Sequence, residues 1–309
     1  MRTLTEADVE ALLDPAALIA AIEDAFRRRF PSMTLPVRTQ IQTRDGILLI
    51  MPCYEASSDS FGVKMAIVHN NAERADRVQA SYSLLDPRTG APLFQTPARW
   101  LTALRTAATS AVATQHLARP AVRSLGVFGT GQLARAHFRV MPLVRKFEQY
   151  LVCGIDPART RDFAQKISAE VGLSIQPVYP RTCAAESDVI CTCTTSPTPL
   201  FDGNLLRRGA HVNLVGGFQP HTRESDDATV RNARIVVDTF ESALAEAGDL
   251  IIPLAKGVIT RTQILADLHQ MLTRKTAIRR DNEEVTLFKS VGCALEDMVA
   301  AELLQKAAI

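Results

Sequence analysis

One short stretch constrains the fold of this chain more than any other. Gly129-Thr130-Gly131-Gln132-Leu133-Ala134 stands directly after the apolar run Ser124–Phe128 and before a helical pattern. Each small residue has a physical task at that spacing. Gly129 permits a tight turn out of a strand, Gly131 leaves no Cβ between the backbone and a bound pyrophosphate, and Ala134 lets the helix pack closely on the strand. The first turn of the helix then offers free amides and a partial positive charge to phosphate groups. Glycine is common, so the spacing alone is weak evidence. Strand, spacing and helix together point to a dinucleotide loop, with Gly129, Thr130, Gly131, Gln132, Leu133 and Ala134 as cofactor-binding residues; the alternative is a purely structural βα turn.

From residue 121 onward, apolar strands alternate with helices. Strands are expected at Ser124–Phe128, Tyr150–Gly154, Ile175–Val178, Asp188–Thr194, His211–Val215 and Arg234–Asp238. Helices are expected from Gln132, over Ala158–Val171, from about Glu224 and from Glu241. This rhythm is that of a Rossmann-type, doubly wound parallel sheet. The first part of the chain reads differently. Asp14-Pro15 opens a helix, as a cap residue followed by proline at the first position. Leu18, Ile19, Ile22 and Phe26 share its apolar face, and Glu23, Asp24, Arg27, Arg28 and Arg29 read as a solvated face. Strands at Val37–Thr43, Ile47–Met51, Phe61–Val68, Tyr82–Leu85 and Ala91–Phe94 are joined by the turn signals Asp45-Gly46 and Asp86-Pro87-Arg88-Thr89-Gly90. A long helix, Trp100–Leu117, follows.

The expected fold class is therefore α/β, a Rossmann-type sheet plus an α+β substrate domain. The 309 residues suit about two domains at roughly 100–200 residues each. The expected division is residues 1–120 for substrate and dimerisation and 121–292 for the dinucleotide, with a last helix within 293–309 packing back on the first domain. Leu295, Met298, Val299 and Leu303 mark the apolar side of that helix.

With 35 basic and 33 acidic residues the net charge is +2, which gives no electrostatic case for nucleic acid or an anionic membrane as partner. No apolar run approaches the ~18 residues of a spanning helix, and Met1–Glu6 opens no signal peptide. A cytoplasmic location is expected. The six cysteines show no CxxC pair, and Cys191-x-Cys193 lies in an apolar run that reads as buried strand rather than metal site.

The second strand of a dinucleotide domain often ends in an acid that binds the ribose 2′-hydroxyl. Here the strand tip carries Gly154, with Asp156 two residues on. Room for a 2′-phosphate favours NADP(H), paired by Arg159 or Arg161, with NAD(H) possible. Both arginines could equally be solvated residues at a helix start.

Substrate chemistry must come from the first domain, which shows no nucleophile elbow and no metal-spaced histidines. Lys64 and Arg105 stand out as cations in apolar or small-residue surroundings. Burying an unpaired cation is costly, so each needs an anion. A substrate carboxylate would serve, and arginine grips one bidentately. An internal salt bridge or a snorkelling side chain would serve as well.

The blocks Pro36-Val37-Arg38, Gly62-Val63-Lys64, Leu101-Thr102-Ala103-Leu104-Arg105-Thr106-Ala107-Ala108, the Gly129–Ala134 loop, Glu246-Ala247-Gly248-Asp249-Leu250 and Leu287-Phe288-Lys289-Ser290-Val291-Gly292 run in order over nearly the whole chain. In them the chain resembles the ornithine cyclodeaminase/μ-crystallin family. That resemblance implies that Arg38, Lys64 and Arg105 surround a substrate carboxylate and reacting carbon, and that Thr109 lies near the nicotinamide. It also implies a homodimer. The family's reactions include cyclodeamination of ornithine or lysine, reduction of cyclic ketimines and alanine dehydrogenation, and μ-crystallin also binds hormone.

Cyclodeaminases of the family carry an aspartate just after a Gly-Gly pair. This chain reads Gly216-Gly217-Phe218, and a phenyl ring can neither accept a proton nor pair with an ammonium group. The pattern, with Gly216 as a further cofactor-binding residue, resembles the reductase branch. The expected activity is NAD(P)H-dependent reduction of a small imino acid substrate. The first candidate is Δ1-pyrroline-2-carboxylate, giving L-proline, and its six-membered homologue is the second. Lys64 is expected near the imine as acid/base or as a further carboxylate contact, with its pKa depressed by neighbouring arginines.

Overall fold

The computed structural model describes residues 4–69 and 78–308; Met1–Thr3 of the N-terminal stretch read above, and Ile309, lie outside the described residues. The chain divides into two compact units, residues 1–106 with 293–309, and residues 107–292.

The first unit opens with α1 (Glu6–Leu12), capped reciprocally by Thr5 and Asp8, and α2 (Pro15–Asp24), whose cap Asp14 accepts the Ala17 amide at 2.7 Å. Leu18, Ile19, Ile22 and Phe26 are buried, as their spacing predicts. Six strands follow: β1 (Met33–Thr34), β2 (Thr39–Thr43), β3 (Gly46–Glu55), β4 (Ser60–His69), β5 (Val78–Leu85) and β6 (Pro92–Pro97). They pair antiparallel in the order β1-β3-β4-β5-β6, with β2 on the first half of β3. Gly46 is required where β3 and β4 approach closely, because a Cβ there would meet the Val68 carbonyl oxygen at 2.2 Å. Alternation along β3 buries Ile47, Leu49, Met51 and Cys53 on one face. The C-terminal helix, Ala294–Ala307, packs on β3, β4, β5 and α2. Leu295, Met298 and Val299 are buried as expected, whereas Leu304 rather than Leu303 completes the row.

One sequence expectation is corrected here. Arg29 is not part of a solvated face. It donates to Glu55 at 2.6 Å and to Glu302 at 2.8 Å, tying β3 and the C-terminal helix to the helical turn Ala25–Arg29 that continues α2. Pairing of this kind between distant segments is invisible to helical periodicity.

Helix α3 (Arg99–Leu117) begins in the first unit, where the Glu6 carboxylate accepts the Arg99 and Trp100 amides at 3.0 and 2.9 Å. In the second unit the strands are β7 (Ser124–Phe128), β8 (Gln149–Cys153), β9 (Ile175–Pro177), β10 (Val189–Thr192), β11 (His211–Leu214), β12 (Ala233–Val237), β13 (Ile264–Asp267) and β14 (Val285–Lys289). Their order is β13-β12-β14-β11-β10-β7-β8-β9, all parallel. From β7 the chain runs outward through β8 to β9 and then returns to β10 and β11 on the other side, so the topological switch point lies between β7 and β10. The helices are α4 (Gln132–Val140), α5 (Pro157–Val171), α6 (Pro180–Glu186), α7 (Asp227–Arg231), α8 (Phe240–Glu246), α9 (Gly248–Ala255) and α10 (Leu268–Thr273).

The helix expected from about Glu224 starts at Asp227, capped by Asp226. The reason is tertiary: the Glu224 and Ser225 amides both donate to Asp249 at 2.9 Å, which holds this segment out of helix. Leu295 is fully buried in the first unit. Leu295→Ala should lower the unfolding free energy by about 2–5 kcal/mol, measured by urea denaturation.

Candidate functional site

In the second unit, the expected cofactor residues other than Thr109 follow the carboxyl ends of β7, β8 and β11. Gly129 has φ +117, and a Cβ there would meet the Cys193 carbonyl oxygen at 2.5 Å. Only glycine fits both the turn and the approach of the loop after β10. Gly131 is the N-cap of α4, no side chain caps that helix, and a Cβ at Gly131 would meet nothing within 4 Å. Helix α4 thus presents uncapped first-turn amides to open space, which is what a pyrophosphate requires. Ala134 is fully buried. Thr130, Gln132 and Leu133 complete the loop.

Gly154 follows β8, and a Cβ there would meet Thr160 Oγ1 at 2.5 Å and Thr130 Cγ2 at 2.8 Å. The strand tip has no room for an acidic side chain. Asp156 accepts the Ala158 and Arg159 amides at 2.8 and 3.1 Å and serves as the cap of α5. Arg159 and Arg161 stand exposed in its first turns. These residues fit a nicotinamide dinucleotide.

Gly216 lies after β11 in a knot of buried polar groups that sequence reasoning left without a role. Glu224 accepts Thr192 Oγ1 at 2.7 Å, Thr194 N and Oγ1 at 2.9 and 2.7 Å, Gly216 N at 2.9 Å and Gly217 N at 3.1 Å. Lys289 Nζ donates to the Gly217 carbonyl at 2.6 Å and to Asp249 at 2.9 Å. Glu246–Leu250 and Leu287–Gly292 carried the family resemblance, which was the only signal for Asp249 and Lys289. Phe218 is half-buried against the core of this unit. Thr109 is fully buried in α3.

In the first unit, Lys64 on β4 and Arg105 on α3 come together, both buried. Their counter-anions are protein groups. Lys64 Nζ lies 2.9 Å from Asp297 Oδ1 and 2.7 Å from Oδ2. Arg105 Nε donates to the same Oδ1 at 2.9 Å, and its Nη1 donates to Glu296. The internal salt bridge that the sequence allows beside a substrate carboxylate is present. The two acids come from the C-terminal helix, 233 residues from Lys64 in the case of Asp297. Arg38, half-buried before β2, lies close enough for its charge to be felt at Lys64.

Burial, then the charges of Arg105 and Arg38, bring the Lys64 pKa down to about 8, against the opposing pull of Asp297.

Burial also holds His137 down to about 4 and His211 to about 3, so both are neutral at physiological pH. Cys191 is buried in β10, and Cys193 lies 3.4 Å from His137. Among the described residues no group of three metal-ligating side chains is assembled.

The model of the ornithine cyclodeaminase/mu-crystallin family matches residues 1–308. The chain belongs to that family. It is 34% identical over 283 residues to a Δ1-pyrroline-2-carboxylate reductase of Bacillus cereus, covering 89% of this chain and 86% of the relative. Among solved structures it is similar to the Thermococcus litoralis Δ1-pyrroline-2-carboxylate reductase in complex with NADH and L-proline. That likeness has a TM-score of 0.95 and 36% identity, and covers 100% of this chain and 97% of that one. An archaeal alanine dehydrogenase dimer with bound NAD matches with a TM-score of 0.91 and 26% identity, over 99% of this chain and 95% of that one.

Lys64 has a further consequence for stability. Between pH 8 and 10.5 the unfolded chain keeps a proton on Lys64 that the folded chain has released. The unfolded state binds more protons there, so this group makes stability rise with pH across that window and adds nothing further above it. The difference in unfolding free energy between the wild type and Lys64→Met should move in favour of the wild type from pH 8 to 10.5. A pH series of denaturation curves on both proteins measures it.

Proposed function

We propose that this protein reduces a cyclic ketimine carboxylate, first of all Δ1-pyrroline-2-carboxylate to L-proline, at the expense of NADPH. The single observation that carries the assignment is Lys64. A buried lysine with a pKa of about 8, flanked by Arg105 and within reach of the Arg38 charge, can give up a proton near neutral pH. Two cationic neighbours suit a carboxylate borne on the imine carbon.

Arg38 and Arg105 are assigned to the carboxylate, and Lys64 to protonation of the imine nitrogen or, as a further contact, to the same carboxylate. Asp297 and Glu296 fix the two buried cations, so the substrate meets a charge pattern set before it arrives. The Gly129–Ala134 loop is assigned to the pyrophosphate, and Thr109 and Gly216 to the nicotinamide half. When bound, the reduced nicotinamide supplies the hydride. The reductase names of the Bacillus and Thermococcus relatives support the assignment. Phe218 speaks against cyclodeamination of ornithine, since no carboxylate stands at that position.

NADP(H) is preferred over NAD(H) in this proposal. The crowded Gly154 tip, the engagement of Asp156 as a helix cap and the exposed Arg159 support it, and a neighbour that binds NADH marks the alternative. Six free, buried cysteines suit a reducing compartment, the cytoplasm.

The assay is direct. NADPH and NADH consumption is followed with the five- and six-membered cyclic imines and with pyruvate plus ammonia, and ammonia release is followed with ornithine. The five-membered imine with NADPH should be fastest. Arg105→Ala should remove about 1.5–3 kcal/mol of charge-assisted binding, a loss of about tenfold or more in kcat/KM. Full turnover by Lys64→Ala or Arg105→Ala would refute the assignment.

A homodimer is part of the proposal. The face of β3 and β4 opposite the buried one carries Leu48, Ile50, Val63, Met65 and Ile67, with Met65 46% exposed and Ile41 of β2 beside Leu48 at 45%. A broad apolar sheet face of this kind calls for a cover. The dimeric state of the alanine dehydrogenase neighbour supports a second copy as that cover. Met65→Lys should shift the species seen by light scattering from dimer to monomer.

A further inference from the structure

The second unit holds two carboxylates and one ammonium group within a single knot. Glu224 is fully buried, Asp249 is 1% exposed and Lys289 is fully buried. Stability alone does not call for such a group, since well-packed apolar side chains would serve as well or better in the same volume. What the charges accomplish is visible in their partners. Glu224 takes three backbone amides, those of Thr194, Gly216 and Gly217, and two hydroxyls, those of Thr192 and Thr194. It thereby fastens the loop after β10 to the loop after β11. Lys289, at the end of β14, takes the Gly217 carbonyl. The Gly217 residue is thus held at its amide by Glu224 and at its carbonyl by Lys289. Asp249 supports both holders: its Oδ2 accepts from Lys289, and its Oδ1 accepts the Glu224 amide. The clamp is tight, for a Cβ at Gly216 would meet the Thr194 carbonyl oxygen at 2.1 Å.

These loops lie at the carboxyl ends of β10, β11 and β14, on one side of the switch point. The uncapped helix start after β7 takes the pyrophosphate in the dinucleotide reading, and the Gly154 tip of β8, on the other side, takes the adenosine half. The remaining half of the molecule must therefore lie toward β10 and β11.

We infer that Glu224, Asp249 and Lys289 form a positioning unit that holds the Gly216–Gly217 backbone as the seat of the nicotinamide half of the dinucleotide. This rests on the dinucleotide reading proposed above. None of the three need touch the ring; they act through the peptide groups they fix.

The test compares whole and truncated ligands. Calorimetric dissociation constants are measured for NADPH and for 2′-phospho-ADP-ribose, and for NADH and ADP-ribose, with the wild type, Glu224→Gln and Lys289→Met. Enhancement of bound NADPH fluorescence is recorded alongside. The variants should weaken NADPH by about tenfold, of the order expected when a buried charged hydrogen bond is lost, while the fragment without nicotinamide changes by less than about twofold. The fluorescence enhancement should fall with them. Thr192→Val, which removes one hydroxyl from Glu224 and leaves its charge in place, should move the same quantities in the same direction by less, and it decides the matter if the charge variants fail to fold. Equal weakening of NADPH and fragment, or unchanged binding of both, overturns the inference and leaves the dinucleotide reading intact. Failure of the wild type to bind any of the four ligands overturns both.

Discussion

Asp297 is the group on which the first unit depends. It accepts from Lys64 and from Arg105 at once, and it sits on the last helix of the chain. Two buried cations on a strand and a helix cannot stay charged in an apolar core without an anion, and none is available from their own segments. The C-terminal helix must therefore return to the sheet for the unit to close. Glu302 on the same helix repeats the device with Arg29, nearer to solvent. Lys64 is less basic than usual in spite of this pairing, because burial and the arginines outweigh the one carboxylate that opposes them. The same cluster thus closes the fold and sets the proton affinity on which the proposed reaction draws.

The second unit solves a different problem. A parallel sheet gives every loop at its carboxyl edge the same general direction, but it does not fix where each loop lies. Small residues and buried charges do that here. Gly129 packs against the loop after β10, and Gly216 packs against that same loop from the β11 side. Glu224 then joins the loop after β10 to the loop after β11 by accepting the Thr194 and Gly216 amides. Backbone groups placed in this way cannot relax into solvent, and a binding surface made of them is formed in advance of its ligand.

Much of this architecture was legible in local pattern. The cap Asp14, the strand Ser124–Phe128 and the helix start at Gln132 all follow from residues adjacent in sequence, and the structure has them where the pattern put them. Local pattern failed where a distant side chain intervened. The stretch after Arg223 carries helical signals, yet Asp249 captures the Glu224 and Ser225 amides and delays the helix to Asp227. Arg29 looked solvated because its partners, Glu55 and Glu302, lie 26 and 273 residues away.

The sequence by itself determined the fold class, the strand, glycine turn and helix around Gly129–Ala134, and that Lys64 and Arg105 are cations in apolar or small-residue surroundings that need an anion when buried. Those conclusions rest on periodicity, turn chemistry and the cost of burying charge, all of which act at short range or on single residues. Only the tertiary structure decided which anion answers the need. Glu296 and Asp297 are acids in the first turn of a terminal helix, a place where acids are common for reasons of helix electrostatics alone. Nothing local marks them as the partners of Lys64 and Arg105, because a salt bridge depends on separation in space and not on separation along the chain.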